Sequence, residues 1–192
     1  EAARDMAARL RDETGMGWID APVSGGVAGA ESGKLTIMAG GSEADFAHAE
    51  PIVAHLAQRF TLVGTNGAGH ATKLINQVLV GCAVAVLSEA AALAMRAGID
   101  AARIPEALAG GRADSLPLQQ FFPKMVAGDF FVEARIRTML KDLDTVLALA
   151  RETTTAMPMT AMALELHRLM VQRGHGDEDG TALATLYIET PV

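Results

Sequence analysis

"GTNGAGHATKLINQVLVGCAVAVLSEAAALAMRAG", residues 64 to 98, decides how the rest of the chain is read. Glycines crowd its first six positions, and apolar residues then dominate until Arg96 and Gly98. The pattern predicts one long helix entered through a tight glycine turn and closed by Gly98. Its surface is apolar nearly all round, which predicts burial on most sides. The longest uninterrupted apolar run, Val78 to Leu87, is ten residues, whereas a bilayer span needs about 20. Ser88 and Glu89 follow it, so a buried core helix is the better reading and no membrane is expected as a partner.

Upstream of this stretch, strands and helices alternate. Residues 1 to 14 have the pattern of an amphipathic charged helix, ended by Gly15 and Gly17. "WIDAPV" and "KLTIMAGG" read as strands. "SEADFAHAEPIVAHLAQ" opens on Ser42, a plausible N-cap, and shows helical apolar spacing with a kink or restart at Pro51. "RFTLVG" reads as a further short strand. Such alternation belongs to an α/β domain. The chain reads as opening in mid-fold. Downstream no strand is predicted. Helices are expected at about 100–110, 115–127, 133–152 and 158–173, and a glycine-rich turn and a last helix are expected in the tail. The fold class is therefore an α/β remnant, the end of a Rossmann-type domain, followed by an all-α domain with a long buried interdomain helix. The boundary falls near residue 65, giving domains 1–65 and 66–192.

Composition narrows the function. Of 192 residues, half are hydrophobic and 4% aromatic, so the core relies on Ala, Leu, Val, Ile and the ten Met. A net charge of −7 without a basic stripe argues against nucleic acid. Cys82 is the one cysteine. It rules out a disulfide framework within the chain, fits a reducing, cytoplasmic compartment, and reads as a small buried hydrophobe.

Lys73 is the most pointed candidate for chemistry. It falls about one turn into the long helix, with Asn76 and Gln77 at i+3 and i+4 on the same face. Burial of its ammonium and the positive end of the helix dipole both favour the neutral amine, a state suited to acid/base work near neutral pH. A surface lysine near a helix start fits the same spacing. Lys141 and Asp142, with Asp144 close by, interrupt the apolar pattern of "MLKDLDTVLALA". A solvated face with local ion pairs accounts for them on sequence grounds. Gly26, Gly29 and Gly33 in "PVSGGVAGAESGK" do not make a dinucleotide fingerprint, because the spacing is wrong and a strand rather than a helix is expected next. No GxxxxGK[ST] loop, HExxH pair or GxSxG elbow occurs. His48 and His55 are placed on the outer face of one helix, so no metal site is expected.

Four segments in order, "DAPVSGGVAGAESGKLTIMAGG", "GAGHATKLINQ", "FFVEARIRTMLKDLDTVLALA" and "GHGDEDGTAL", resemble the 3-hydroxyisobutyrate dehydrogenase or β-hydroxyacid dehydrogenase family, which includes tartronate semialdehyde (2-hydroxy-3-oxopropionate) reductases. The resemblance covers nearly the whole chain. It implies the end of a Rossmann domain and a helical domain of the 6-phosphogluconate dehydrogenase type, with the nucleotide fingerprint upstream and the present chain inactive by itself.

The resemblance also implies roles. Lys73 matches the catalytic acid/base that protonates the carbonyl oxygen or takes the hydroxyl proton. Asn76 matches a substrate-binding asparagine. Gln77 stands where some relatives carry a second asparagine, and either could orient the substrate. Ser24, Gly25 and Gly26 match the loop that holds the substrate carboxylate. Lys141 matches a lysine on the nicotinamide side, listed as cofactor-binding. The implied cofactor is NAD or NADP, and the implied partners are a small carboxylate substrate and a second copy, in a homodimer or homotetramer formed through the helical domain. A non-catalytic dimerisation or scaffold module is the competing class, which the retention of Lys73 argues against.

Overall fold

The computed structural model describes residues 2–188 and contains two compact units, divided after Asn76. The first unit opens with α1 (Ala2–Thr14), ended by Gly15 at φ 71 with its N–H on the Arg11 carbonyl. That left-handed stop is where glycine is cheapest. The next segment runs extended. Asp20 bridges Gly40, the Met38 N–H reaches the Pro22 carbonyl, and β1 is only Val23–Ser24. "WIDAPV" is thus a broken edge rather than one continuous strand, in keeping with a proline that has no N–H to donate.

Gly25 leads directly into α2 (Gly26–Glu31), closed by Ser32, whose hydroxyl donates to the Ala28 carbonyl at 2.6 Å. The sequence reading had only connection and strand here, so the argument that no helix follows these glycines is overturned. The residues responsible, Gly-Val-Ala-Gly-Ala-Glu, include two glycines, which disfavour a helix interior, and carry no apolar period to signal one. The spacing of Gly26, Gly29 and Gly33 still does not match a dinucleotide fingerprint.

β2 (Leu35–Gly40), α3 (Glu43–Val53) and β3 (Ala57–Gly64) form a strand–helix–strand crossover. The sheet order is β1-β2-β3, with β1 antiparallel and β3 parallel to β2. Ile37, Met38 and Ala39 of the central strand are buried. Ser42 caps α3 as its sequence predicts, accepting the Asp45 N–H at 3.1 Å. Pro51 lies in the last turn, and the helix ends two residues beyond it.

α4 (Ala68–Arg96) is 29 residues long and contributes to both units. It is long and apolar enough to cross a membrane by length and composition alone, a test that the core helix of a globular protein also passes. Ala91 and Ser88 are fully buried, and the Ser88 hydroxyl folds back on the Val84 carbonyl at 2.8 Å. Burial on most sides is not achieved within one chain. Ile75, Leu79, Val86 and Leu93 are exposed at 60%, 67%, 53% and 71%. They recur at helical spacing along one stripe.

The second unit continues through a 3-10 turn (Ala101–Arg103), α5 (Ile104–Leu108), α6 (Leu116–Ala127), α7 (Ile136–Glu152), α8 (Pro158–Gln172) and a 3-10 helix (Gly180–Leu186). Its described residues contain no strand, as the sequence predicts. Ser115 caps α6 and Gly128 closes it in the left-handed region. Phe122, Met125, Ile136, Leu143, Leu164 and Leu183 form the centre of the core. Cys82 packs against that core half-buried. α4 and α7 come so close at Gly81 that a Cβ there would sit 3.2 Å from Leu143 Cδ2.

Candidate functional site

The start of α4 is built around one carboxylate. Asp20 is 2% exposed, and Oδ1 accepts the Gly67 N–H at 2.6 Å while Oδ2 accepts the His70 N–H at 2.9 Å. His70 Nδ1 lies 3.1 Å from the same Oδ2. Burial raises the Asp20 pKa, but the Gly67 and His70 hydrogen bonds outweigh it, so the carboxyl stays below its ordinary value. An ionised group therefore occupies the amino end of α4 from inside the fold. It takes up N–H groups that a helix start leaves unpaired, and its charge opposes the helix dipole there.

The two glycines of "GAGH" do different jobs. Gly67 has φ 92, a conformation the turn requires. Gly69 is needed for contact: a Cβ there would lie 2.5 Å from the carbonyl oxygens of both Asp20 and Met38. Asn66 completes the junction by donating its amide to the Trp18 carbonyl at 2.7 Å. Lys73 and Asn76 follow on α4, both half-buried. His70, Lys73, Asn76 and Gln77 fall on one face of the helix by spacing.

Ser24, Gly25 and Gly26 lie where β1 passes into α2. Ser24 is half-buried and pairs with Thr36 of β2, while both glycines are exposed. Gly25 and Gly26 have φ of 124 and 61. A Cβ on Gly26 would meet nothing within 4 Å. Backbone conformation, not crowding, is what calls for glycine at Gly26, and the space beside it is open to a small ligand.

In the second unit, Gln77 Nε2 donates to Asp142 Oδ2 at 2.7 Å, and Lys141 Nζ lies 3.1 Å from Asp142 Oδ1. Asp142 thus joins two residues that the sequence singled out separately. The sequence reading treated Asp142 as part of a solvated face, but its side chain is only 20% exposed, against 73% for Lys141. The solvent side of α7 has a shallow depression of about 500 Å³ in which Arg137 and Lys141 flank Leu140 and Ala148.

The start of α7 is held as the start of α4 is. Asp179 Oδ2 accepts the Glu133 and Ala134 N–H groups at 2.8 and 3.0 Å, and Oδ1 accepts the Thr181 N–H and hydroxyl at 3.0 and 2.7 Å. Burial raises the Asp179 pKa, yet these hydrogen bonds hold it below its ordinary value. Sequence reasoning missed Asp20, His70 and Asp179 as individual residues. The one available signal was an acidic residue inside each of two apolar or glycine-rich segments. His48 is exposed on α3 and His55 lies in the turn after it. Among the described residues no cluster of three His, Cys, Asp or Glu is placed to hold a metal ion.

Comparison with known proteins also divides the chain in two, between residues 64 and 67. Residues 1–64 match the family described as the NAD binding domain of 6-phosphogluconate dehydrogenase. Residues 67–187 match the family described as NAD-binding of NADP-dependent 3-hydroxyisobutyrate dehydrogenase. The 2-hydroxy-3-oxopropionate reductase of Escherichia coli strain K12 is 38% identical over 176 residues, covering 92% of this chain and 60% of its own length. The 2-(hydroxymethyl)glutarate dehydrogenase of Eubacterium barkeri is 35% identical, covering 94% and 60% respectively. The solved 3-hydroxyisobutyrate dehydrogenase of Salmonella typhimurium superposes with a TM-score of 0.86 at 32% identity, over 96% of this chain and 65% of that one. The chain therefore spans about 60% of the length of the two curated relatives. By its family matches and by its fold, the chain belongs to the 3-hydroxyisobutyrate dehydrogenase family.

Proposed function

We propose that the full polypeptide is an NAD(P)-dependent oxidoreductase that moves a hydride between the nicotinamide and the hydroxyl-bearing carbon of a small β-hydroxyacid. The observation that carries this reading is Lys73, half-buried one and a half turns into a helix whose start is fixed from below by Asp20. Two relatives named for a small oxo acid and a small hydroxy acid support the substrate class.

Lys73 gives its proton to the carbonyl oxygen in reduction and takes the hydroxyl proton in oxidation. Asn76, one turn further on the same face, orients the reacting oxygen or the carboxylate without competing for that proton. Ser24, Gly25 and Gly26 bring backbone N–H groups and one hydroxyl to the substrate carboxylate, and the open space at Gly26 suits a close approach. Gln77 donates one amide hydrogen to Asp142, which ties α4 to α7 and fixes the side chain beside Asn76, where its remaining polar atoms serve to orient the substrate.

The cofactor supplies the hydride. Residues on α7 suit part of such a molecule: Lys141 and Arg137 offer cations beside the apolar Leu140 and Ala148. This agrees with residues 1–65 being the end of a Rossmann-type domain and 66–192 a helical domain. The exposed stripe of Ile75, Leu79, Val86 and Leu93 supports self-association through α4 into a dimer or tetramer.

The decisive experiment is Lys73→Ala in the full polypeptide, assayed with NAD and NADP on 3-hydroxyisobutyrate, glycerate, tartronate semialdehyde and threonate. We expect kcat to fall by about 10² to 10⁴-fold on the best substrate. Retention of most activity on every substrate tried would sink the mechanism.

A further inference from the structure

The Asp20–His70 pair lies one turn before Lys73 and nothing above uses it for chemistry. Its geometry is asymmetric. The Asp20 side chain is fully enclosed, while the His70 side chain is 61% exposed. Nδ1 is turned inward to Oδ2 at 3.1 Å, and the same Oδ2 accepts the His70 backbone N–H at 2.9 Å. The ring is therefore anchored at both its backbone and its Nδ1. A carboxylate partner favours the tautomer with hydrogen on Nδ1, leaving Nε2 as a base that can take up and release a proton. Residues three apart on a helix have Cβ atoms about 5–6 Å apart, so the Lys73 ammonium is within reach of the ring, directly or through one water.

We propose that His70 is a positioning residue that exchanges protons between solvent and Lys73, with Asp20 orienting the ring. This rests on Lys73 being the acid/base. When the carbonyl carbon is reduced, the carbonyl oxygen forms its O–H bond with a proton from Lys73 Nζ, leaving a neutral amine. The imidazolium of His70 releases its Nε2 proton to Nζ, and the imidazole then takes one proton from a buffer acid or hydronium ion. One solvent proton is consumed for each carbonyl reduced, and oxidation runs the same steps backwards. Asp20 carries no proton at any stage, and its charge balances the imidazolium. Charged groups from α1 also face this helix start: Arg4, whose Nε donates to the Asn66 carbonyl at 3.2 Å, and Arg11, which lines the same depression beside Thr65 and Asn66 and is paired with Asp45 at 2.6 Å; neither guanidinium has a proton-accepting site.

The test needs no substrate, which separates it from the proposal about activity. In the 192-residue chain, the exchange of Lys73 ammonium hydrogens with water is measured by nitrogen-15 NMR from pH 5.5 to 8. In the parent we expect exchange faster than hydroxide alone sustains, because the ring places a second base beside the ammonium. His70→Gln, whose amide can still donate to Asp20, should exchange about tenfold more slowly, keeping only the hydroxide-driven rise with pH. Added imidazole should restore the rate in His70→Ala. An unchanged rate and profile in both variants would overturn the proposal. So would slowing that imidazole does not repair, because it would show that the ring acts on structure alone. Failure of Lys73→Ala to reduce turnover would instead strike at the reading of the enzyme.

Discussion

The beginnings of α4 and α7 solve the same problem in two ways. Each helix begins in a glycine-rich or irregular segment, and each start is fixed by a buried aspartate distant in sequence. Asp179 directs its bonds at three backbone N–H groups and one hydroxyl, none of which changes charge. Asp20 directs two at backbone N–H groups and shares the third with a histidine ring that reaches solvent. The second unit therefore has a static clamp, and the first has a clamp with a titratable side. The difference matches the roles proposed for the two helices. In the proposed reaction α7 would offer cations that only need to be presented, whereas α4 would present an amine that changes its protonation.

The largest expected effect is on the static clamp. Asp179→Ala leaves three N–H donors, of which that of Thr181 is on a buried residue, without their carboxylate acceptor and should cost about 2–3 kcal/mol, read as a lower denaturation midpoint of the second unit. If the midpoint stayed within experimental error, the clamp would not be what holds the start of α7. Asp20→Asn is milder, because one amide oxygen can still accept. A loss of about 2 kcal/mol is expected, with faster hydrogen exchange concentrated at residues 67–70. Faster exchange along the whole of α4 would instead mean that Asp20 supports the entire helix.

Acid should expose both clamps together. Both aspartates have folded pKa values below the ordinary 3.8. Their stabilisation is thus complete above that pH and is lost as pH falls below it toward the folded values. A third group acts earlier. His167 is fully buried on α8, its Nδ1 is 2.8 Å from the Ala163 carbonyl, and burial depresses its pKa below 6.5 despite that bond. The unfolded chain then binds a proton that the folded one resists, so stability falls as pH drops through 6.5. Melting curves at pH 7.5 and 5.5 should show a drop in Tm in the parent that shrinks in His167→Leu. An equal drop in both would locate the acid sensitivity elsewhere. The smallest expected effect is Lys141→Ala, below about 0.5 kcal/mol in stability, since its ion pair with Asp142 is mostly exposed on the lysine side.

Much of this arrangement was legible from sequence where the signal is local. Ser42 capping α3, Gly98 after α4, Ser115 before α6 and Pro158 at the start of α8 all mark boundaries within one turn of the residues they control. Spacing singled out Lys73, Asn76 and Lys141, and the family resemblance gave each an expected role. The two clamps were out of reach because Asp20 bonds partners 47 and 50 positions away, and Asp179 bonds partners 45 and 46 positions away. α2 was missed for the opposite reason. Its six residues carry no apolar period at all. The exposed stripe on α4 was misread because an all-round apolar helix gives no hint of which side its own chain leaves uncovered.

Gly69 sets a datum for the whole helix. Its missing side chain lets the α4 backbone lie against the carbonyls of Asp20 and Met38 at a separation no other residue permits. Sliding the helix by one position would drive the Cβ of Ala68 or His70 into those carbonyls. α4 therefore has one allowed height above the sheet. Lys73 comes four residues later, about 6 Å along the axis at 1.5 Å per residue. The elevation of the amine is thus measured from a hydrogen atom on a glycine, as a mason measures each course from a single benchmark.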